Sequence, residues 1–96
     1  MGTVACLGRF HLGRVLATQA AMRALMVAEK DPMELLSRHQ RGDWGDLGDD
    51  DKESNELALI HGARLLSAYN VAPDLRLWII TEADRSATTI LLPEDY

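Results

Sequence analysis

The chain has one cysteine, Cys6, in 96 residues. A single thiol builds no disulfide framework and no paired redox motif, so a free thiol in a reducing compartment is the ordinary reading. Long apolar runs are missing too. None reaches the roughly 18–20 residues needed to cross a bilayer. The opening M-G-T-V-A-C-L-G-R-F lacks a charged region leading into an apolar one, which argues against a secretory signal or lipoprotein anchor. Basic charge is scarce, with 10 Lys and Arg against 15 Asp and Glu, for a net charge of −5. That balance weighs against nucleic acid as a partner, because phosphate neutralisation dominates such binding. His11, His39 and His61 are too scattered for metal-ligand spacing, and no G-x-S-x-G, Walker A, dinucleotide or zinc pattern occurs. There is no internal repeat or low-complexity linker. These absences predict one cytoplasmic domain over residues 10–96, behind a leader at residues 1–9, with no cofactor and no metal.

Apolar residues at 47% and charged residues at 26% suit a globular domain. Its organising stretch is Arg64 to Leu92, read as a three-stranded meander. Pro73 pre-sets φ at the second position of a turn and Asp74 follows it. A loop centred there places Tyr69 opposite Trp78 and Ser67 opposite Ile80. A loop centred on Asp84 and Arg85 places Ile79 opposite Ile90 and Leu77 opposite Leu92. Alternation then predicts a core face of Leu66, Ala68, Leu77, Ile79, Ile90 and Leu92. The other face carries Leu65, Ser67, Tyr69, Trp78, Ile80, Glu82, Thr89 and Leu91, and that is where a partner is expected.

Helices precede the meander. Thr18 is the expected cap of a helix over about 19–30, with Met22, Leu25 and Met26 at helical spacing. Asp31-Pro32-Met33-Glu34 marks a second helix over 32–41, burying Leu35, Leu36 and His39 and stopping at Gly42. Asp49 or Asp50 is expected to cap a third, with Leu57, Ile60 and His61 as its apolar stripe and Gly62 as its end. The run Phe10 to Ala17 is a further strand candidate, with Phe10, Leu12 and Leu16 on one face. Helices before strands, rather than alternating with them, predict an α+β domain: two or three helices followed by an antiparallel three-stranded meander, with a possible added N-terminal strand.

Three places carry candidate chemistry. Asp43, Asp46, Asp49, Asp50, Asp51 and Glu53 form an acidic surface around Lys52. Carboxylates at this density suit a hard cation. The spacing lacks the D-x-D-x-D-G loop, so helix capping and solvation is favoured, with display to a basic partner as the functional alternative. Trp44, in a glycine-punctuated loop, is either a core plug or a partner anchor. In the turn T-E-A-D-R-S, Glu82 is a possible base and Arg85 an anion clamp, with His61 or His39 as second proton-transfer group. The bland alternative there is an Arg85–carboxylate pair that stabilises the turn.

The strings G-D-W-G-D-L at 42–47, R-L-L-S-A-Y at 64–69 and W-I-I-T-E-A-D-R-S-A-T-T-I-L-L-P-E-D-Y at 78–96 resemble a family of small bacterial proteins carried on plasmids and integrative elements. The resemblance covers residues 10–96 and implies a mobile-element setting, with no activity to carry over. A looser likeness to barnase- and RelE-type layouts rests on Glu82 and Arg85 alone, and Thr88 and Thr89 stand where a terminal histidine would be expected. The leading expectation is a non-enzymatic accessory protein acting by protein–protein contact or self-association through Trp44, Tyr69 and Trp78. The alternatives are a small metal-free ribonuclease or toxin-like domain, and an acidic nucleic-acid mimic that inhibits a host defence protein.

Overall fold

A computed structural model describes residues 8–96. The expected leader at 1–9 therefore lies largely outside the described residues. From the N-terminal side the elements are β1 (Arg14–Ala17), α1 (Gln19–Ala28), α2 (Pro32–Gln40), α3 (Asp49–His61), β2 (Leu65–Ala72), β3 (Leu75–Thr81), β4 (Ala87–Leu91) and a 3-10 turn at Pro93–Asp95. The protein is an α+β domain. Its sheet has the order β1-β4-β3-β2, with the meander antiparallel and β1 joining β4 in parallel. The sheet is thus mixed, and the N-terminal strand is shorter than the 10–17 run.

Local signals explain the helices. The Thr18 hydroxyl accepts from the Ala21 amide at 3.1 Å and starts α1. The Asp31 carboxylate accepts from the Met33 amide at 2.9 Å, with Pro32 in the first turn of α2. For α3 the cap differs from expectation. Gly48 occupies it without a side-chain bond, and Asp49, Asp50 and Asp51 sit inside the first turn, where negative charge meets the helix dipole.

The β3–β4 register is the expected one, with Ile79 opposite Ile90. The β2–β3 register is not. At the turn Ala72 pairs with Leu75, as centring on Pro73 and Asp74 requires, but beyond it Asn70 pairs with Arg76. Val71 is the extra residue of a β-bulge, and one inserted residue moves every earlier side chain of β2 to the opposite face. Tyr69 therefore faces Leu77, and Ala68 faces Trp78.

The core face accordingly reads Leu65, Ser67, Tyr69, Leu77, Ile79, Thr81, Thr88 and Ile90. Tyr69, Leu77, Ile79 and Ile90 pack with Ala21 and Leu25 of α1 and with Leu35 and Leu36 of α2. A second cluster joins Phe10, Trp44, Ala58 and Leu65. The apolar stripe expected on α3 is overturned: Asn55 and Ala58 are buried, while Leu57 and Ile60 are exposed. Both helical clusters meet the same sheet face, so the molecule has two layers and measures 39 × 35 × 18 Å.

Candidate functional site: the open sheet face and its edges

The second sheet face carries Leu66, Trp78, Ile80 and Leu91, and among the described residues the helical clusters pack on the opposite face. Its cover is the end of the chain. Pro93 begins the 3-10 turn, and the Asp95 carboxylate closes it by accepting from the Leu92 amide at 3.0 Å. The same Oδ2 accepts from the Thr18 hydroxyl at 2.7 Å, which ties the turn to the end of β1. Tyr96 thereby lies edge-on to Trp78, with ring centroids 5.9 Å apart. Arg64 stacks over the Tyr96 ring at 5.6 Å and donates to its hydroxyl at 2.7 Å. Beyond Arg64 a groove of about 330 Å³ runs along α3 past Leu57 and His61. A cation–aromatic–aromatic ladder thus crosses from the end of α3 over this face, where Ile80 and Leu91 are buried.

Two of the three residues expected at a partner surface lie elsewhere. Trp44 is 4% exposed and Tyr69 1% exposed. The bulge turns Tyr69 inward, where its hydroxyl donates to the Asp43 carbonyl at 2.6 Å and burial pushes its pKa up to about 12. Trp44 is a core plug. Its ring lies 6.2 Å from Phe10, and its indole N–H donates to Glu56 at 2.9 Å. Trp78 alone remains on the open face, and its aromatic neighbour is Tyr96, which sequence reasoning left in an acidic tail.

The acidic residues divide. Asp43 pairs with Arg38 at 2.7 Å, a contact that holds its carboxyl below the usual range. Asp46 accepts from the Asn70 amide at 2.8 Å. Asp49, Asp50, Asp51 and Glu53 are exposed on α3. Among the described residues, no group of three or more His, Cys, Asp or Glu side chains is placed to hold a metal.

Glu82, Arg85 and His61 do not form a hydrogen-bonded constellation. Arg85, at φ 61, donates from Nη1 to the carbonyls of Ala63, Glu82 and Ala83 at 2.7, 3.1 and 3.1 Å. Its Nη2 reaches the Ala58 carbonyl at 3.3 Å. The guanidinium therefore joins the end of α3 to the β3–β4 turn through carbonyls, not through the carboxylate pair expected there. His61 is exposed on the α3 groove, and the described ion pairs are Arg9–Glu56 and Arg38–Asp43.

His39 is fully buried in a polar chain. Nδ1 lies 2.5 Å from Ser67 Oγ, and Nε2 lies 2.9 Å from Thr81 Oγ1. Thr81 Oγ1 lies 2.8 Å from Thr88 Oγ1, which donates to the Leu12 carbonyl at 2.7 Å. That carbonyl can only accept, so the single Thr88 proton points to it and Thr81 must donate to Thr88. Thr81 then accepts from Nε2–H, and Ser67 donates to Nδ1. The imidazole is neutral, and burial lowers its pKa to about 3, with Arg85 adding to the effect. This buried, fully satisfied chain organises the core.

The two sheet edges differ. On β2 the Asn55 amide group accepts from the Leu66 amide at 3.0 Å and donates to the Leu66 carbonyl at 2.6 Å. Next along the edge, the Ala68 amide donates to the Trp44 carbonyl at 3.2 Å and its carbonyl accepts from the Asp46 amide at 2.7 Å. Gly45, at φ 79, makes this bridge, and a Cβ there would sit 2.1 Å from the Ala68 carbonyl oxygen. Asp46 takes the Asn70 amide, so this edge is closed. At the other end, among the described residues, β1 pairs with β4 alone, and all four of its residues are exposed.

Compared with protein-family models, curated proteins and solved structures, the chain matches none at a significant level.

Proposed function

We propose that this chain is a non-enzymatic accessory protein that works by protein–protein contact through its open sheet face. The observation that carries the reading is the Arg64–Tyr96–Trp78 ladder lying on the sheet face opposite the helical clusters. Aromatic and arginine side chains dominate binding energy at interfaces because they bury a large area with few rotamers to freeze. The resemblance of residues 10–96 implies a mobile-element setting for this activity. Among the described residues no helix is long and apolar enough to cross a membrane. The carbonyl bonds of Arg85 do not favour a ribonuclease built on Glu82, Arg85 and His61.

The test is a Trp78→Glu, Tyr96→Ser double variant, compared with the parent for the mass of complexes recovered from the native host. Loss of the complex with a retained cooperative melt supports the reading, and an unchanged complex removes it. Arg64→Glu, at an exposed position, repeats the test should the double variant not fold. A second reading, in which the exposed carboxylates Asp49, Asp50, Asp51 and Glu53 meet a basic protein, predicts binding that falls steeply with added salt.

A further inference from the structure

The Arg14 and Thr18 amides point inward, donating to the carbonyls of Ser86 and Ile90 at 2.9 Å each. Strand alternation then turns the N–H and C=O of Val15 and Ala17 outward, away from the sheet. Val15 and Leu16 are 48% and 41% exposed on this edge. An apolar strand edge with unpaired backbone groups is a template for another strand.

We infer that the occupant is a second copy of this chain, paired antiparallel through β1 about a two-fold axis at Leu16. Two observations select that partner. First, the β2 edge is closed by Asn55, Gly45 and Asp46, so the described residues of each molecule offer one edge, and one self-complementary edge per molecule gives a closed dimer rather than a fibre. Second, the charges match. An axis at Leu16 sets Val15 against Ala17 of the other copy, the register that engages both outward residues of each strand. Arg14 then lies opposite Thr18 of the other copy, whose hydroxyl bonds the Asp95 carboxylate. By register with Ala87 and Thr89, Arg14 and Leu16 share the open face on which the 3-10 turn lies. The Arg14 side chain is exposed and makes no hydrogen bond or ion pair among the described residues. The dimer has one continuous eight-stranded sheet, with the faces that carry the 3-10 turns on one side. This inference deepens the protein-contact reading and names a different surface and partner for it.

The experiment measures mass in solution for the 10.6 kDa chain. Light scattering is expected to give twice that mass, and Val15→Pro to give the single mass with an unchanged circular dichroism spectrum. Proline there removes only an outward N–H. In a Cys6→Ser background, Leu16→Cys is expected to form an intermolecular disulfide on mild oxidation, because the axis sets position 16 against itself in a non-hydrogen-bonded pair. Ala17→Cys is expected to cross-link at least tenfold more slowly. A monomer at every concentration up to the millimolar range overturns the inference. So does a dimer that survives Val15→Pro and shows no selective Leu16→Cys cross-link. If that dimer is instead lost in Trp78→Glu, this inference fails while the protein-contact reading stands.

Discussion

At the scale of single residues the most informative side chain is His39. Its ring fills the space between Phe10 and Trp44, with centroids 5.1 and 5.7 Å away, so no room is left for the water an imidazolium needs. The folded-state pKa of about 3 lies below the ordinary 6.5. As pH falls, the unfolded chain takes up the proton first. The stabilisation is therefore complete above pH 6.5 and is lost progressively as pH falls towards 3. The slope contributed is at most about 1.4 kcal/mol per pH unit. Urea midpoints measured across that window should fall with pH in the parent, and His39→Gln should flatten the upper part of the curve. The sequence marked His39 as buried because it falls on the inner stripe of α2. It did not mark the partners: Ser67 meets His39 only after β2 is turned over by the bulge, Thr81 lies 42 positions further along the chain, and Thr88 lies further still.

At the scale of elements, the β2 edge shows how the loop before α3 is used. The stretch G-D-W-G-D-L reads as a loop with an aromatic in it, and it is one, but its backbone also serves as a short strand beside Ala68. Gly45→Ala should destabilise by roughly 1–3 kcal/mol, because a methyl group meets the Ala68 carbonyl oxygen in a left-handed conformation. Asn55→Ala leaves the Leu66 amide and carbonyl without a partner and should cost roughly 2–4 kcal/mol, read as a lowered denaturation midpoint with faster hydrogen exchange along β2. Helix positions were legible from Thr18, from Asp31-Pro32 and from the glycines at 42 and 62. The buried side of α3 was not. Leu57 and Ile60 have helical spacing, yet the helix meets β2 through Asn55 and Ala58, because closing a strand edge takes an amide that can donate and accept at once.

At the scale of the whole molecule, helices on one side of a four-stranded sheet leave the other side to an aromatic ladder and a folded-back terminus. Asp95 links that terminus to Thr18, so Asp95→Ala should release the turn, expose Trp78 and shift its fluorescence to the red while leaving α2 and its core contacts intact. A spectrum identical to the parent's would show that Tyr96 holds its place without this carboxylate.

What the sequence alone determined was the class of the fold, the order of its elements, the two turns of the meander and the β3–β4 register. Each follows from local rules of capping, proline geometry and alternation. The tertiary structure decided the bulge at Val71, the parallel docking of β1 and which aromatics reach the surface. These depend on contacts between residues far apart in the chain: His39 with Ser67, Asn55 with Leu66, Thr18 with Asp95. One inserted residue is invisible to a pattern of period two until the partner strand fixes which side must be buried.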